Sequence, residues 1–127
     1  MALFHTDYVA LCCRDVQVER QWWIASFACE ETAVPADWDC PLPSDVALKL
    51  PGAAEPTILL SDSGEVQRAG YERTNDRCIV FCGNLKKAHQ YLHGRGVQAG
   101  VIENGGDTHF FEVRDPEGNI VEICNEG

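Results

Sequence analysis

A shift of 69 residues lays the second half of this chain over the first. It places Cys82 on Cys13, Asn84 on Asp15, Leu85 on Val16, Gln90 on Gln21, Tyr91 on Trp22 and Leu92 on Trp23. A strand end, a helix cap and the apolar stripe of a helix coincide without a gap, which is the mark of an internal repeat. A chain built this way folds as two copies of one small unit, at 1–66 and 74–127, within a single domain. The composition suits that reading, with 45% hydrophobic and 24% charged residues in a chain of 127, a globular ratio.

The local signals give each copy the same order. In the first, TDYVALCC (6–13) reads as a strand and Asp15 as the N-cap of a helix over VQVERQWWIASFACEE (16–31). Val16, Trp23 and Phe27 form its apolar stripe. VPADWDCPLPSD (34–45) holds three prolines and reads as a long loop. DVALKL (45–50) and PTILLSD (56–62) are strands, and the polar segment 61–76 is a connector. In the second copy DRCIVFCG (76–83) is a strand. Asn84 caps a helix over LKKAHQYLHGRG (85–96) that Gly94 and Gly96 stop. Strands follow at VQAGVIE (97–103), THFFEVRD (108–115) and NIVEIC (119–124), with a DPEGN turn between the last two. The fold class is α+β, with two tandem βαβββ modules.

Ten Lys+Arg against twenty Asp+Glu give a net charge of −10. Such a chain repels phosphate backbones and anionic lipid, so neither nucleic acid nor a membrane surface is expected as a partner. No apolar run approaches the roughly 20 residues of a membrane span. The first residues lack the basic start and small-residue cleavage site of a signal peptide, so a cytoplasmic location is expected. Seven cysteines with no CxxC spacing then read as reduced thiols, mostly buried as small hydrophobes.

The doubled βαβββ pattern ending in FFEVRDPEGNIVEIC resembles the vicinal oxygen chelate superfamily, the glyoxalase I, bleomycin-resistance protein and extradiol dioxygenase group. The residues that carry the resemblance are Phe110, Phe111, Asp115, Pro116, Gly118, Asn119 and Glu122, with YVALCCRDVQVERQWWIASFA in the first module. Ala28 departs from it, standing where the family has Gly after the helix. The resemblance implies curved mixed sheets around a cavity and a homodimer. It does not fix an activity, because one fold hosts many chemistries.

Metal-dependent relatives use His or Glu/Gln at four strand positions. Carried onto this sequence these are Tyr8, Leu59, Arg77 and Glu122, of which only Glu122 keeps a ligand-type side chain. Leu has no donor atom and Arg is a permanent cation; Tyr ligates only when ionised. No cofactor or divalent metal is therefore expected, although His5, His109 or the cysteines could assemble a different set. Arg77 either forks onto Glu122 where the ion would sit or ends the connector in solvent. His89 and His93 stand four apart on the second helix without the Glu of HExxH, and read as surface residues.

The expected cavity lining is Tyr8, Cys12, Trp38, Leu59, Arg77, Phe81, Glu122 and Cys124. Cys12 shares strand parity with Tyr8, and Cys124 with Glu122. Trp38 sits in the Pro-rich loop, either as a lid or as a plug on the sheet. Three functions fit these residues. One is a metal-free cavity binding a small molecule, as in resistance proteins that sequester a drug; an acidic chain suits a cationic aromatic ligand. The others are a metal-dependent lyase, isomerase or dioxygenase, and a metal-free enzyme using Tyr8, Arg77 and Glu122.

Overall fold

The computed structural model describes residues 3–39, 41–72, 78–106 and 108–125. It contains the strands β1 (Phe4–His5), β2 (Val9–Cys13), β3 (Glu30–Thr32), β4 (Val46–Lys49), β5 (Ile58–Asp62), β6 (Cys78–Cys82), β7 (Glu103–Asn104), β8 (His109–Arg114) and β9 (Ile120–Asn125). Its helices are α1 (Val16–Phe27), α2 (Ser63–Arg68) and α3 (Leu85–Gly94).

The repeat is visible in the pairing. One sheet has the order β2-β5-β4-β3, and the other has β6-β9-β8-β7 with β1 added at its β6 edge. In each, the first strand runs parallel to the last, Val9 against Ile58 and Cys78 against Val121. Both helices start at the expected caps. The Asp15 carboxylate accepts the N–H groups of Gln17 and Val18, and the Asn84 side chain accepts that of Lys87.

Alternation along the strands sends one face of each sheet to its helix. Leu11, Leu48, Ile58 and Leu60 from one sheet join Val80, Cys82, Phe111 and Ile123 from the other in a single core with Trp23, Phe27, Ala88 and Leu92 of the helices. Phe4 packs edge-on to both Phe27 and Tyr91, at 5.0 and 5.8 Å between ring centroids. It ties α1 to α3. Because the core takes the helix-facing sides, the opposite faces of both sheets point outward.

Four expectations about elements need correction. The strand expected over 6–13 begins only at Val9 and another, Phe4–His5, precedes it: Thr6, whose hydroxyl donates to the Ile79 carbonyl at 2.9 Å, marks the crossing from β1 in one sheet to β2 in the other. The first helix stops at Phe27, where Ala28 adopts φ 56 and ψ 34. That left-handed turn lets Glu30–Thr32 form the second strand otherwise lacking from module one, in register against Ala47–Lys49. The connector contains α2, capped by Asp62 through the Glu65 N–H. Finally, 97–103 pairs only through an Ala99–Val113 bridge and at Glu103, because Gly100 turns its N–H to the Glu112 carbonyl.

Candidate ligand-binding cavity

The outward face of the second sheet is fixed by register. Ile79 pairs with Glu122 and Phe81 with Cys124, so all four share a face; Phe110 and Glu112 join them across β8. Pairing of His5 with Phe81 brings His5 to the same face. The imidazole stacks on the Phe81 ring at 5.4 Å and 24°. A cavity of about 410 Å³ opens here, lined by His5, Asp7, Ile79, Phe81, Thr108, Cys124 and Asn125. Glu122 lies beside it, 7% exposed, and its Oε1 accepts the Cys124 thiol at 3.0 Å.

Of the residues expected from sequence, Phe81, Glu122 and Cys124 gather at this cavity. Tyr8, Cys12, Trp38 and Leu59 gather on the first module instead. Cys12 pairs with Ser61 and Leu59 with Ala10, which places them on the outward face of that sheet. Leu59 is buried there, while Tyr8 is 56% exposed and meets Trp38 edge-on at 5.0 Å. The Pro-rich loop is pinned below Trp38 by Ser44, whose hydroxyl and N–H both donate to Glu65 of α2. Arg77, and with it the expected pairing to Glu122, lies outside the described residues.

His5 reaches the cavity although the sequence named it only for a different metal set. Counted along one continuous strand it has the opposite parity to Tyr8. The break at Thr6–Asp7 moves it into the other sheet, and the signal was the polar pair interrupting an apolar strand. His109 has the parity of Phe111 and so belongs to the helix-facing side, exposed at the strand end, where its N–H donates to Asn125. His89 is not a bare surface residue: its Nε2 lies 2.9 Å from the Gly100 carbonyl and its ring meets Phe111 edge-on. His93 is exposed. Trp23 is core and Trp22 half-buried against it.

The three of the four strand positions that lie among the described residues do not together supply the donors of a divalent cation. Tyr8 is a solvent-facing phenol against Trp38, Leu59 offers no donor, and one Glu122 oxygen already takes a thiol proton. Among the described residues no group of three or more His, Cys, Asp or Glu is placed to hold a metal ion. The described cysteines are thiols. Burial raises the Cys29 and Cys78 thiols to about 12 and pushes Cys13 higher still, with Glu19 adding to the effect at Cys13. None of these three is a nucleophile at neutral pH.

No family model matches the sequence, and no curated protein matches it. Solved structures do match. A lactoylglutathione lyase from Agrobacterium tumefaciens is 16% identical, with a TM-score of 0.71 over 95% of this chain and 92% of the other. TnmS3, an antibiotic binding protein from Streptomyces sp. CB03234, is 17% identical with a TM-score of 0.68, covering 100% and 99%. A member of the glyoxalase/bleomycin resistance protein/dioxygenase superfamily from Sphaerobacter thermophilus is 18% identical with a TM-score of 0.66, covering 96% and 97%. The chain has the fold of that superfamily, in the two-module α+β form. No helix among the described residues is long and apolar enough to cross a membrane.

Proposed function

We propose that this protein binds a small organic molecule, without metal or other cofactor, in the cavity between β1, β6 and β9. The observation that carries the reading is the His5–Phe81 stack beside the buried Glu122 carboxylate. A flat ring can extend such a stack, and a positive charge on it would face Asp7 and Glu122. The likeness to an antibiotic binding protein supports sequestration. A homodimer is part of the proposal, since the outward sheet faces carry Phe81, Ile79 and the Tyr8–Trp38 pair and a second copy would cover them. So is a cytoplasmic setting, which keeps the thiols reduced.

The test is a thermal-shift series with planar aromatic cations such as acridine and phenanthridinium dyes, alongside elemental analysis. Binding stabilises the folded state by mass action, so a shift lost in Phe81→Ala and reduced in Glu122→Gln is expected. One transition-metal ion per chain, released by Glu122→Gln, would overturn the metal-free reading. Light scattering at 14.1 kDa rather than twice that mass would overturn the dimer.

A further inference from the structure

The core holds one acid that the fold does not explain. Glu19 lies on the first turns of α1 and is 0% exposed, and among the described residues neither carboxyl oxygen makes a hydrogen bond. Its counterpart under the 69-residue shift is Ala88, also 0% exposed. The same helix position in the other module is thus filled by a methyl group, and packing alone does not call for a carboxyl.

The groups facing Glu19 come from four elements. Asp115 and Glu117 approach from the β8–β9 turn, Cys13 from β2, Cys78 from β6 and the indole of Trp23 from α1 itself. Asp115 is 5% exposed and organises the turn: Oδ1 accepts the N–H of Glu117 at 3.0 Å and of Asn119 at 2.7 Å, and Oδ2 accepts the Asn119 amide at 2.8 Å. Glu117 in turn receives the backbone N–H of Arg14 and of Asp15, each at 2.9 Å. A ring of contacts therefore runs from the turn of module two through Glu117 to the start of α1, and back through Glu19 to Asp115. Arg14, the cation that meets Glu117 at this turn, holds its side chain in solvent, 80% exposed.

We propose that Glu19 is a pH-sensitive latch between the modules: as a neutral acid it sits against the Asp115 carboxylate, and as an anion it becomes a third carboxylate in the buried cluster and loosens the turn's hold on α1. Burial pushes the Glu19 carboxyl up to about 8, and the neighbouring Asp115 and Glu117 carboxylates add to the rise. The thiols facing it stay protonated through that range because their own burial raises them further. The sign follows. Between the ordinary value of 4.5 and about 8 the folded chain holds a proton that the unfolded chain has released. Raising the pH therefore favours unfolding, by about tenfold in the equilibrium constant per pH unit for one linked proton.

The experiment compares urea unfolding of the wild type, Glu19→Gln and Glu19→Ala from pH 5 to 9, with amide exchange at Arg14 and Asp15 corrected for its intrinsic pH dependence. The wild type should lose stability relative to Glu19→Gln between pH 5 and about 8, by about tenfold per unit, and level off above. Its Arg14 and Asp15 amides should lose protection at the alkaline end while those of Glu19→Gln keep it. Parallel pH profiles for wild type and Glu19→Gln would overturn the latch. Should the variants not fold, carbon NMR of the Glu19 carboxyl in the wild type decides. Titration near neutral or above supports the latch, and titration in the ordinary carboxylate range overturns it.

Discussion

The carboxylate of Glu117 accepts the backbone N–H of Asp15 at 2.9 Å, across 102 residues of chain. Its other oxygen takes the N–H of Arg14, so one side chain of module two satisfies two donors where the first helix of module one begins. Charge-assisted bonds contribute about 1.5–3 kcal/mol, and these two lie at the low end because the Arg14 and Asp15 donors are exposed. Glu117→Ala should cost about 2–3 kcal/mol in urea unfolding, and Glu117→Gln about 1 kcal/mol because it keeps one acceptor. The Arg14 guanidinium, 3.7 Å away and largely exposed, adds little. Arg14→Gln should leave stability within about 0.5 kcal/mol of wild type.

Ala28 ends α1 with φ 56, a conformation in which its Cβ crowds the backbone. Glycine would relieve that crowding but gains freedom in the unfolded chain. The difference favours Gly, so Ala28→Gly should stabilise by about 0.5–1 kcal/mol. A lower midpoint in thermal or urea unfolding would contradict the left-handed assignment.

Among the described cysteines, Cys12 is half-exposed while Cys13, Cys29, Cys78, Cys82 and Cys124 are buried. Iodoacetamide at neutral pH followed by peptide mapping should label Cys12 well before Cys13, Cys29 and Cys78, whose thiols are held protonated by burial. Equal labelling in the native protein would show that the core opens faster than the reagent reacts.

Glu112 stands directly opposite Glu122 in the β8–β9 register, on the cavity face. Like charges across a strand pair destabilise by roughly 0.2–1 kcal/mol. Glu112→Gln should therefore stabilise the free protein by about 0.5 kcal/mol at low salt, with a smaller gain at high salt. It should also weaken binding of a planar cation. Unchanged stability and unchanged binding together would remove Glu112 from the site.

Much of this was legible in the sequence because it is local or periodic. Asp15 and Asn84 announce two helices at one spacing, and strand parity places Cys124 with Glu122. What was not legible depends on contacts distant in sequence or on segments too short to show a period. His5 sits in a two-residue strand whose partner is β6. The helix at Ser63–Arg68 is a single capped turn and a half in polar sequence. Glu30–Thr32 forms a strand because Ala28 turns the chain, which a helix-forming residue type does not advertise. Glu19 looks like any surface charge on a helix until its alignment with Ala88 is taken seriously. The Glu117 clamp leaves no local trace at all.

The crossing at Thr6 also bears on how the chain is made. Phe4 and His5 pair with β6, so β1 must wait until Cys78–Cys82 has been synthesised before it has a partner. Until then Phe4, which bridges Phe27 and Tyr91 in the finished core, has only half of its neighbours. Such long-range closure slows folding and leaves apolar surface uncovered during synthesis. A fragment ending before β6 should therefore associate or aggregate rather than persist as a free half.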